Sequence, residues 1–229
     1  MYCICFHLKS QQPAGSCYTV GMLSGLSLTD IGIVILSILV SMALHEAMHG
    51  FVAHWLGDST AQDAGRLTLN PLKHIDLYTT LLLPVVLILF HVPPFFAAKP
   101  VPFNPYRVKF GEYGAALVGL AGPLTNLVLA VAVALVMRFG AAAGTELYNA
   151  LSLFVQVNLG FFVFNMIPFP PLDGSRLLYA FAPEPLQRIM AQIEGAGFMM
   201  IILFMLLLFP FISPIITSII DKIYIFLLS

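Results

Sequence analysis

The sequence predicts an all-α, polytopic membrane protein with a core of three spanning helices and one or two C-terminal membrane segments. The 229 residues are 59% hydrophobic and only 9% charged, and the mean hydropathy is +0.94. Soluble globular proteins carry roughly a quarter charged residues, so this chain has too few to cover its surface in water. Several apolar runs also reach about 20 residues, the length that a helix needs to cross a bilayer. The net charge of −1 gives no indication of a nucleic-acid partner.

The first predicted spanning helix covers residues 28–56 and follows an N-terminal tail, residues 1–27. Thr29 or Asp30 is the predicted cap at its start, because short polar side chains accept hydrogen bonds from the first free amides of a helix. Gly57 follows its predicted end, as glycine often does after a helix.

The second and third predicted spanning helices cover residues 113–139 and 148–167. A break is expected early in the second helix, at Gly122-Pro123, since proline removes a helical hydrogen bond. Together with the first helix they form the predicted core, residues 28–180.

The C-terminal region, residues 181–229, is predicted to contribute one or two more membrane segments. An uncharged stretch from about residue 195 to 220 has the length of a spanning helix, with Pro210 and Pro214 bending or ending it. The final run, residues 223–228, is too short to cross a membrane alone.

A loop between the first two core helices is predicted to be re-entrant or β-like. Residues 77–90 form an apolar run of about 14 residues that Pro84 interrupts, which suits a segment that dips into the membrane and returns. Residues 65–69 alternate polar and apolar side chains before Asn70-Pro71 stops the pattern, which favours a short strand.

The first predicted helix carries the motif His45-Glu46-Ala47-Met48-His49 in apolar surroundings. Residues four apart on a helix share one face, so both imidazoles can bind the same zinc ion. Glu46 lies next to the first ligand, where its carboxylate can reach an attacking water without ligating the metal. The alternative is a helix with two packed histidines, although ionisable groups in hydrocarbon cost about 2.5–3.5 kcal/mol each.

A catalytic zinc ion normally has three protein ligands, so a third must come from elsewhere. His54 follows His45 by nine residues, about half a turn away around the helix, and therefore faces the wrong side. Asp173 follows the third predicted helix and precedes Gly174. From its position it either ligates the metal or caps a helix that starts after it, and the spacing alone leaves both interpretations open.

Five motifs resemble the site-2 protease family, in particular its compact prokaryotic members. They are HEAMHG, GRLTLNPLKHID, AKPVPFNP, AGPLTN and NMIPFPPLDG, in the family's order over roughly residues 28–180. The resemblance implies a zinc-dependent endopeptidase that cleaves transmembrane segments of membrane-protein substrates within the bilayer. It implies one zinc ion bound by His45, His49 and Asp173, with Glu46 as the catalytic residue.

Four further residues are predicted to support the site. The resemblance links Asn126 and Asn165 to substrate binding or active-site support, and the alternative for Asn126 is a role in helix packing and interhelical hydrogen bonding. Leu67 and Thr68 lie in the predicted strand, whose edge an unwound substrate segment could pair with. The alternative for this strand is a loop segment that packs on the protein.

The shared zinc ion also constrains the topology. His49 and Asp173 follow helices that end on the same side only if an even number of crossings separates them, so residues 77–90 should not cross. That side then receives seven of the ten basic residues, which predicts a cytoplasmic location: Arg66, Lys73, Lys99, Arg107, Lys109, Arg176 and Arg188. The active site of this multi-pass cell-membrane protein would lie within the bilayer, nearer the cytoplasmic face.

Two other classes of protein compete with this interpretation. A membrane zinc protease with a soluble chamber would take a later glutamate as its third ligand, and the candidates are Glu184 and Glu194. A metal-ion transporter or a non-catalytic membrane scaffold is the alternative outside enzymes. A transporter would spread polar ligands along a path over several helices, whereas here they are concentrated at one level.

Overall fold

The computed structural model describes residues 27–76, 80, 82, 84, 95–96, 98–140 and 142–229, and the backbone of residues 2–3. The predicted all-α class is confirmed. The helices are α1 (Leu28–Trp55), α2 (Thr60–Asp63), α3 (Glu112–Gly140), α4 (Glu146–Asn165), α5 (Gly174–Phe181), α6 (Glu184–Gly195), α7 (Phe198–Leu207) and α8 (Phe209–Leu228), with a 3-10 turn at Pro71–Lys73.

Four of these helices, α1, α3, α4 and α8, are long and apolar enough to cross a membrane. A fifth span results if α6 and α7, which meet at a bend of 101°, are counted as one broken span. Two-residue strands, β1 (Tyr2–Cys3) and β2 (Phe95–Phe96), pair antiparallel with Tyr2 opposite Phe96. The protein is therefore a membrane protein built on a helical bundle.

Helix α1 begins with a capping box at Ser27. The Ser27 hydroxyl accepts a hydrogen bond from the Asp30 amide at 3.1 Å, and the Asp30 carboxylate accepts one from the Ser27 amide at 3.0 Å. The predicted cap at Thr29 or Asp30 is thus wrong: Ser27 is the cap, and Asp30 is its reciprocal partner in the first turn.

Helix α3 runs without interruption through Pro123, so the predicted break at Gly122-Pro123 is wrong. The helix is held along its length because it packs against α1, α4 and α5. Prolines are tolerated inside membrane helices when neighbouring helices support the segment in this way.

The C-terminal region is divided beside the first of the two prolines that were predicted to bend or end its apolar stretch. Over residues 195–220, one helix ends at Leu207 and the next begins at Phe209, so the division lies close to Pro210. Residues 223–228, which are too short to cross a membrane alone, belong to the 20-residue helix α8. Pro210 explains the division, because proline suits the first turn of a helix, where its missing amide hydrogen is not needed. Pro214 lies inside α8.

The loop after α1 lacks the predicted strand. Residues 66–70 have no regular secondary structure, and the Thr68 amide donates to the Arg66 carbonyl at 3.0 Å instead of to a neighbouring strand. The predicted re-entrant segment, residues 77–90, lies outside the described residues except for 80, 82 and 84.

The core helices α1, α3 and α4 pack on one another, and α5 covers α3. Apolar residues of α1 and α4 form one small cluster, which contains Ile38, Met42, Val157 and Phe161. A larger apolar cluster lies where α3 and α4 meet α7 and α8. The polar motif residues lie among α1, α3, α4 and the start of α5.

Candidate metal centre

Three side chains with metal-binding atoms converge in the core. His45 and His49 project from α1, and Asp173 immediately precedes α5. One ligand atom from each residue lies within 4.8 Å of the others, and this is the one such group among the described residues. His45 Nε2 lies 3.0 Å from Asp173 Oδ2, and His49 Nε2 lies 3.5 Å from Asp173 Oδ1.

The donor set and its spacing fit a zinc ion. Zinc binds imidazole nitrogen and carboxylate oxygen at about 2.0–2.1 Å in tetrahedral sites, so two ligands of one ion lie about 3.3 Å apart. The two nitrogen–oxygen distances lie on either side of this value. The three residues also leave a fourth position for water or substrate, as in catalytic zinc sites.

Both imidazoles are oriented by partners on α3. His45 Nδ1 lies 2.6 Å from Asn126 Oδ1, and His49 Nδ1 lies 2.7 Å from the carbonyl oxygen of Val118. Because both partners are acceptors, each Nδ1 carries the hydrogen and each Nε2 keeps its lone pair. Such outer contacts fix the tautomer and the ring orientation of metal-binding histidines.

The space beside the two imidazoles exists because residue 122 is glycine. A Cβ atom on Gly122 would lie 2.4 Å from His49 Nε2 and 2.5 Å from His45 Nε2. Those distances are close to a zinc–nitrogen bond, so a methyl group would occupy the metal position. This glycine therefore faces the metal centre, whereas a Cβ on Gly119 would meet Arg176.

Asp173 occupies the N-cap position of α5, but its carboxylate makes no capping hydrogen bond. It turns instead toward the two histidines. The preceding turn depends on Gly174, where a Cβ atom would lie 2.4 Å from the carbonyl oxygen of Met166.

Glu46 lies on α1 beside the first histidine, and the backbone holds its carboxylate in place. The Val101 amide donates to Glu46 Oε2 at 3.0 Å. The segment around Val101 is itself anchored, because the Lys99 amide donates to the His74 carbonyl at 2.9 Å and the Arg66 guanidinium donates to the Lys99 carbonyl at 2.7 Å. The AKPVPFNP and GRLTLNP motifs thus form one hydrogen-bonded loop assembly against Glu46.

The other predicted site residues lie at varied distances from this centre. Leu67 packs beside the HExxH helix, since a Cβ on Gly50 would lie 3.3 Å from Leu67 Cδ1. The Thr68 carbonyl accepts from His74 Nε2 at 2.9 Å, so it is already occupied. The Asn165 amide donates to the Phe161 carbonyl of its own helix at 2.9 Å and not to the His-His-Asp group.

Sequence reasoning missed one buried residue, Asn158 on α4. Its Oδ1 accepts a hydrogen bond at 2.9 Å from Nδ2 of Asn126, the residue that contacts His45. Both asparagines are completely buried. A signal was present in the sequence: Asn158 is an amide in the middle of an apolar spanning segment, where polar side chains usually have a function.

The glutamates required by the soluble-chamber alternative are engaged elsewhere. Glu194 pairs with Arg176, and Glu184 pairs with Arg188 one helical turn away at 2.6 Å. His54 remains outside the metal-binding group, as its helical position predicts.

Known proteins resemble this chain over much of its length. The model of the family described as peptidase family M50 matches residues 136–209, the part of the chain that contains Asp173. No solved structure matches the chain.

Two curated relatives match most of the chain. A protein of Bacillus subtilis (strain 168) named "Putative zinc metalloprotease YwhC" is 37% identical over 188 residues, which is 79% of this chain and 80% of the relative. A protein of Mycolicibacterium smegmatis named "Putative zinc metalloprotease Rip2" is 31% identical over 188 residues, 78% of this chain and 70% of the relative. The chain therefore belongs to peptidase family M50, the site-2 protease family.

Proposed function

We propose that this zinc metalloendopeptidase hydrolyses peptide bonds in transmembrane segments of other membrane proteins, at a site inside the bilayer. The observation that carries the proposal is the position of the His-His-Asp group within the bundle. His45 lies ten residues before the end of α1 at Trp55, about 15 Å along the axis at 1.5 Å per residue. This depth along a helix long enough to span the bilayer supports cleavage inside the membrane.

His45, His49 and Asp173 are the proposed zinc ligands. When bound, zinc supplies Lewis-acid chemistry, polarising a carbonyl oxygen and making water acidic near neutral pH. Glu46 is the proposed general base, which takes a proton from the attacking water and delivers it to the amine leaving group.

The contact between Glu46 and Val101 supports this role. The Val101 amide holds Oε2 of Glu46, and among the described residues no group bonds Oε1. One carboxylate oxygen is thus fixed in position while the other remains free to accept the proton from water.

A helical substrate must unwind before cleavage, because a helix uses its carbonyl groups in its own hydrogen bonds. Leu67 and Thr68 are our proposed contacts for the unwound stretch. The bond from His74 to the Thr68 carbonyl would compete with such pairing, so Leu67 is the better candidate of the two.

The test is cleavage of synthetic transmembrane peptides by the purified protein in liposomes, with Glu46→Gln as the variant. We expect the cleavage rate to fall by about 10²–10⁴-fold, the usual contribution of a general acid–base group, while the bound zinc per protein is unchanged. His45→Ala should lose both zinc and activity. Mass spectrometry should map the cut within the apolar stretch of the peptide.

Two outcomes would contradict the proposal. Cleavage confined to the polar flanks of the peptides would indicate a protease that acts outside the bilayer. Undiminished function of Glu46→Gln together with zinc flux across the liposomes would favour the transporter alternative.

The cell membrane is the proposed location, with the active site nearer the cytoplasmic face. The predicted topology, in which seven of the ten basic residues fall on one side of the membrane, supports this location. Cysteine substitutions at Lys109, before α3, and Arg138, near its end, should label from opposite sides in intact cells. Labelling of Lys109→Cys from outside the cell would reverse the proposed orientation.

A further inference from the structure

A chain of amide groups links His45 to α4 across three helices. His45 on α1 contacts Oδ1 of Asn126 on α3, and Nδ2 of Asn126 donates to Oδ1 of Asn158 on α4 at 2.9 Å. Nδ2 of Asn158 donates in turn to the carbonyl of Phe154 at 2.9 Å. Asn126 and Asn158 are both fully buried, so water does not compete for these bonds.

The donors and acceptors in this row of hydrogen bonds can be arranged in only one way. A backbone carbonyl such as that of Phe154 can only accept, so Asn158 must point its NH₂ group there and its oxygen toward Asn126. Asn126 must then offer its NH₂ group to Asn158 and its oxygen to His45. His45 therefore donates a hydrogen bond from Nδ1 to this oxygen, and the lone pair of its Nε2 points toward Asp173 and the metal position.

Loss of the oxygen at position 158 would leave the orientation of the Asn126 amide less well fixed. The Asn126 NH₂ group would retain one acceptor, the Ser41 carbonyl at 3.4 Å, which is beyond the usual hydrogen-bond length. A rotated Asn126 amide would present NH₂ to Nδ1 of His45 and favour the tautomer with hydrogen on Nε2. That tautomer cannot bind a metal through Nε2.

We propose that Asn158 is a positioning residue for zinc, which acts through Asn126 to hold His45 in its metal-binding tautomer. The proposal rests on the function proposed above, in which His45 is a zinc ligand. It assigns a task to a residue two hydrogen bonds away from the metal position, on the third helix of the core.

The test is the zinc dissociation constant of the detergent-purified protein, measured by competition with a chelating dye. Asn158→Leu removes the oxygen and the NH₂ group of the side-chain amide at similar volume. We expect the zinc dissociation constant to rise about 10–100-fold, as for other outer-shell partners of metal-binding histidines. Asn158→Asp keeps an oxygen toward Asn126, so its constant should stay within a few-fold of the wild type.

The matched control is Gln156→Leu. Gln156 lies two residues away on α4 and is also buried, but its amide donates at 3.2 Å to Ser152, which contacts Tyr224 of α8. Because these hydrogen bonds are separate from those of Asn126 and Asn158, the zinc dissociation constant of the control should not change.

A double-mutant cycle tests the linkage through Asn126. Asn126→Leu alone should weaken zinc binding, and addition of Asn158→Leu should weaken it no further, because the bond between the two residues is already absent. Additive effects would show that Asn158 acts by another route and would overturn the proposal.

Melting temperatures without zinc separate misfolding from the proposed effect. Should Asn158→Leu fail to fold, Asn158→Ala is the second variant, with the same expected loss of affinity. Wild-type zinc affinity in the folded variant, or an equal loss in Gln156→Leu, would overturn the proposal. Retained zinc affinity in His45→Ala would instead overturn the proposed function.

Discussion

The two buried sides of α4 contrast in chemistry. One side carries Asn158 to the metal centre, where neighbouring polar groups of α1 and α3 are joined by hydrogen bonds of defined direction. The other side carries Phe164 into an apolar layer with α7 and α8. There its ring centroid lies 6.3 Å from that of Phe204 and 6.1 Å from that of Phe209, in edge-on contacts.

The contrast teaches that this bundle separates the control of the metal site from much of its apolar packing. At the metal centre, a lost partner leaves a buried polar group unsatisfied, at a cost of about 1–3 kcal/mol, and can also change which atom carries a hydrogen. In the apolar layer only volume and contact matter, since the rings have no hydrogen-bond direction to satisfy. Changes on the two sides should therefore have different signatures.

The largest effect is expected at the metal centre, from Gly122→Ala. The added methyl group would lie within 2.5 Å of both Nε2 atoms, at the proposed zinc position. We expect zinc binding and peptidase activity to fall below detection, with zinc content measured by atomic absorption.

Gly140→Ala is the control for this substitution, because it lies at the end of the same helix and no atom approaches its Cβ position within 4 Å. It should bind zinc like the wild type. Full zinc occupancy in Gly122→Ala would show that the metal is held at another position.

The second-largest effect is expected in the apolar layer that α4 forms with α7 and α8. Phe164→Ala should lower the free energy of unfolding by about 3–5 kcal/mol, because it leaves a cavity among packed rings. Denaturant titration in detergent measures this change. The folded fraction should keep the wild-type zinc dissociation constant, and a 10-fold rise in that constant would show that the two sides are coupled after all.

The smallest effect is expected in the loop that follows α1. Buried Asp58 accepts hydrogen bonds from the backbone amides of Thr60 at 3.1 Å and Asn104 at 2.6 Å. Burial raises the pKa of this carboxyl, but bonds from Thr60 and Asn104, with the charge of Arg107, bring the pKa below its ordinary value of 3.8. The ionised carboxylate thus stabilises the fold above that value.

The stabilisation should be lost as the pH falls from the ordinary value toward and through the lowered pKa, because the unfolded state takes up the proton before the folded state does. The measurement is the melting temperature between about pH 6 and pH 3, the range in which carboxyls titrate. Over this range the melting temperature should decrease more for the wild type than for Asp58→Asn. Exposed Asp63→Asn is the control. Parallel curves for wild type and Asp58→Asn would contradict this assignment.

Much of the site could be predicted from local patterns. The spacing of His45 and His49 places them on one face of a helix whatever the rest of the chain does. The apolar lengths predicted α1, α3 and α4 within about two residues, within the usual uncertainty of helix ends. The prediction failed at Pro123, because packing against neighbouring helices keeps α3 continuous through this proline.

The sequence by itself therefore determined that the chain is a membrane helical bundle of the site-2 protease family, because helix length, hydropathy and motif spacing are local properties. Only the tertiary structure decided that Asp173 turns from its capping position to the histidines, that Gly122 faces their Nε2 atoms and that Asn158 bonds to Asn126. These contacts depend on the relative depth and rotation of α1, α3 and α4. No periodicity within one helix encodes that arrangement, since it results from how the three helices pack together.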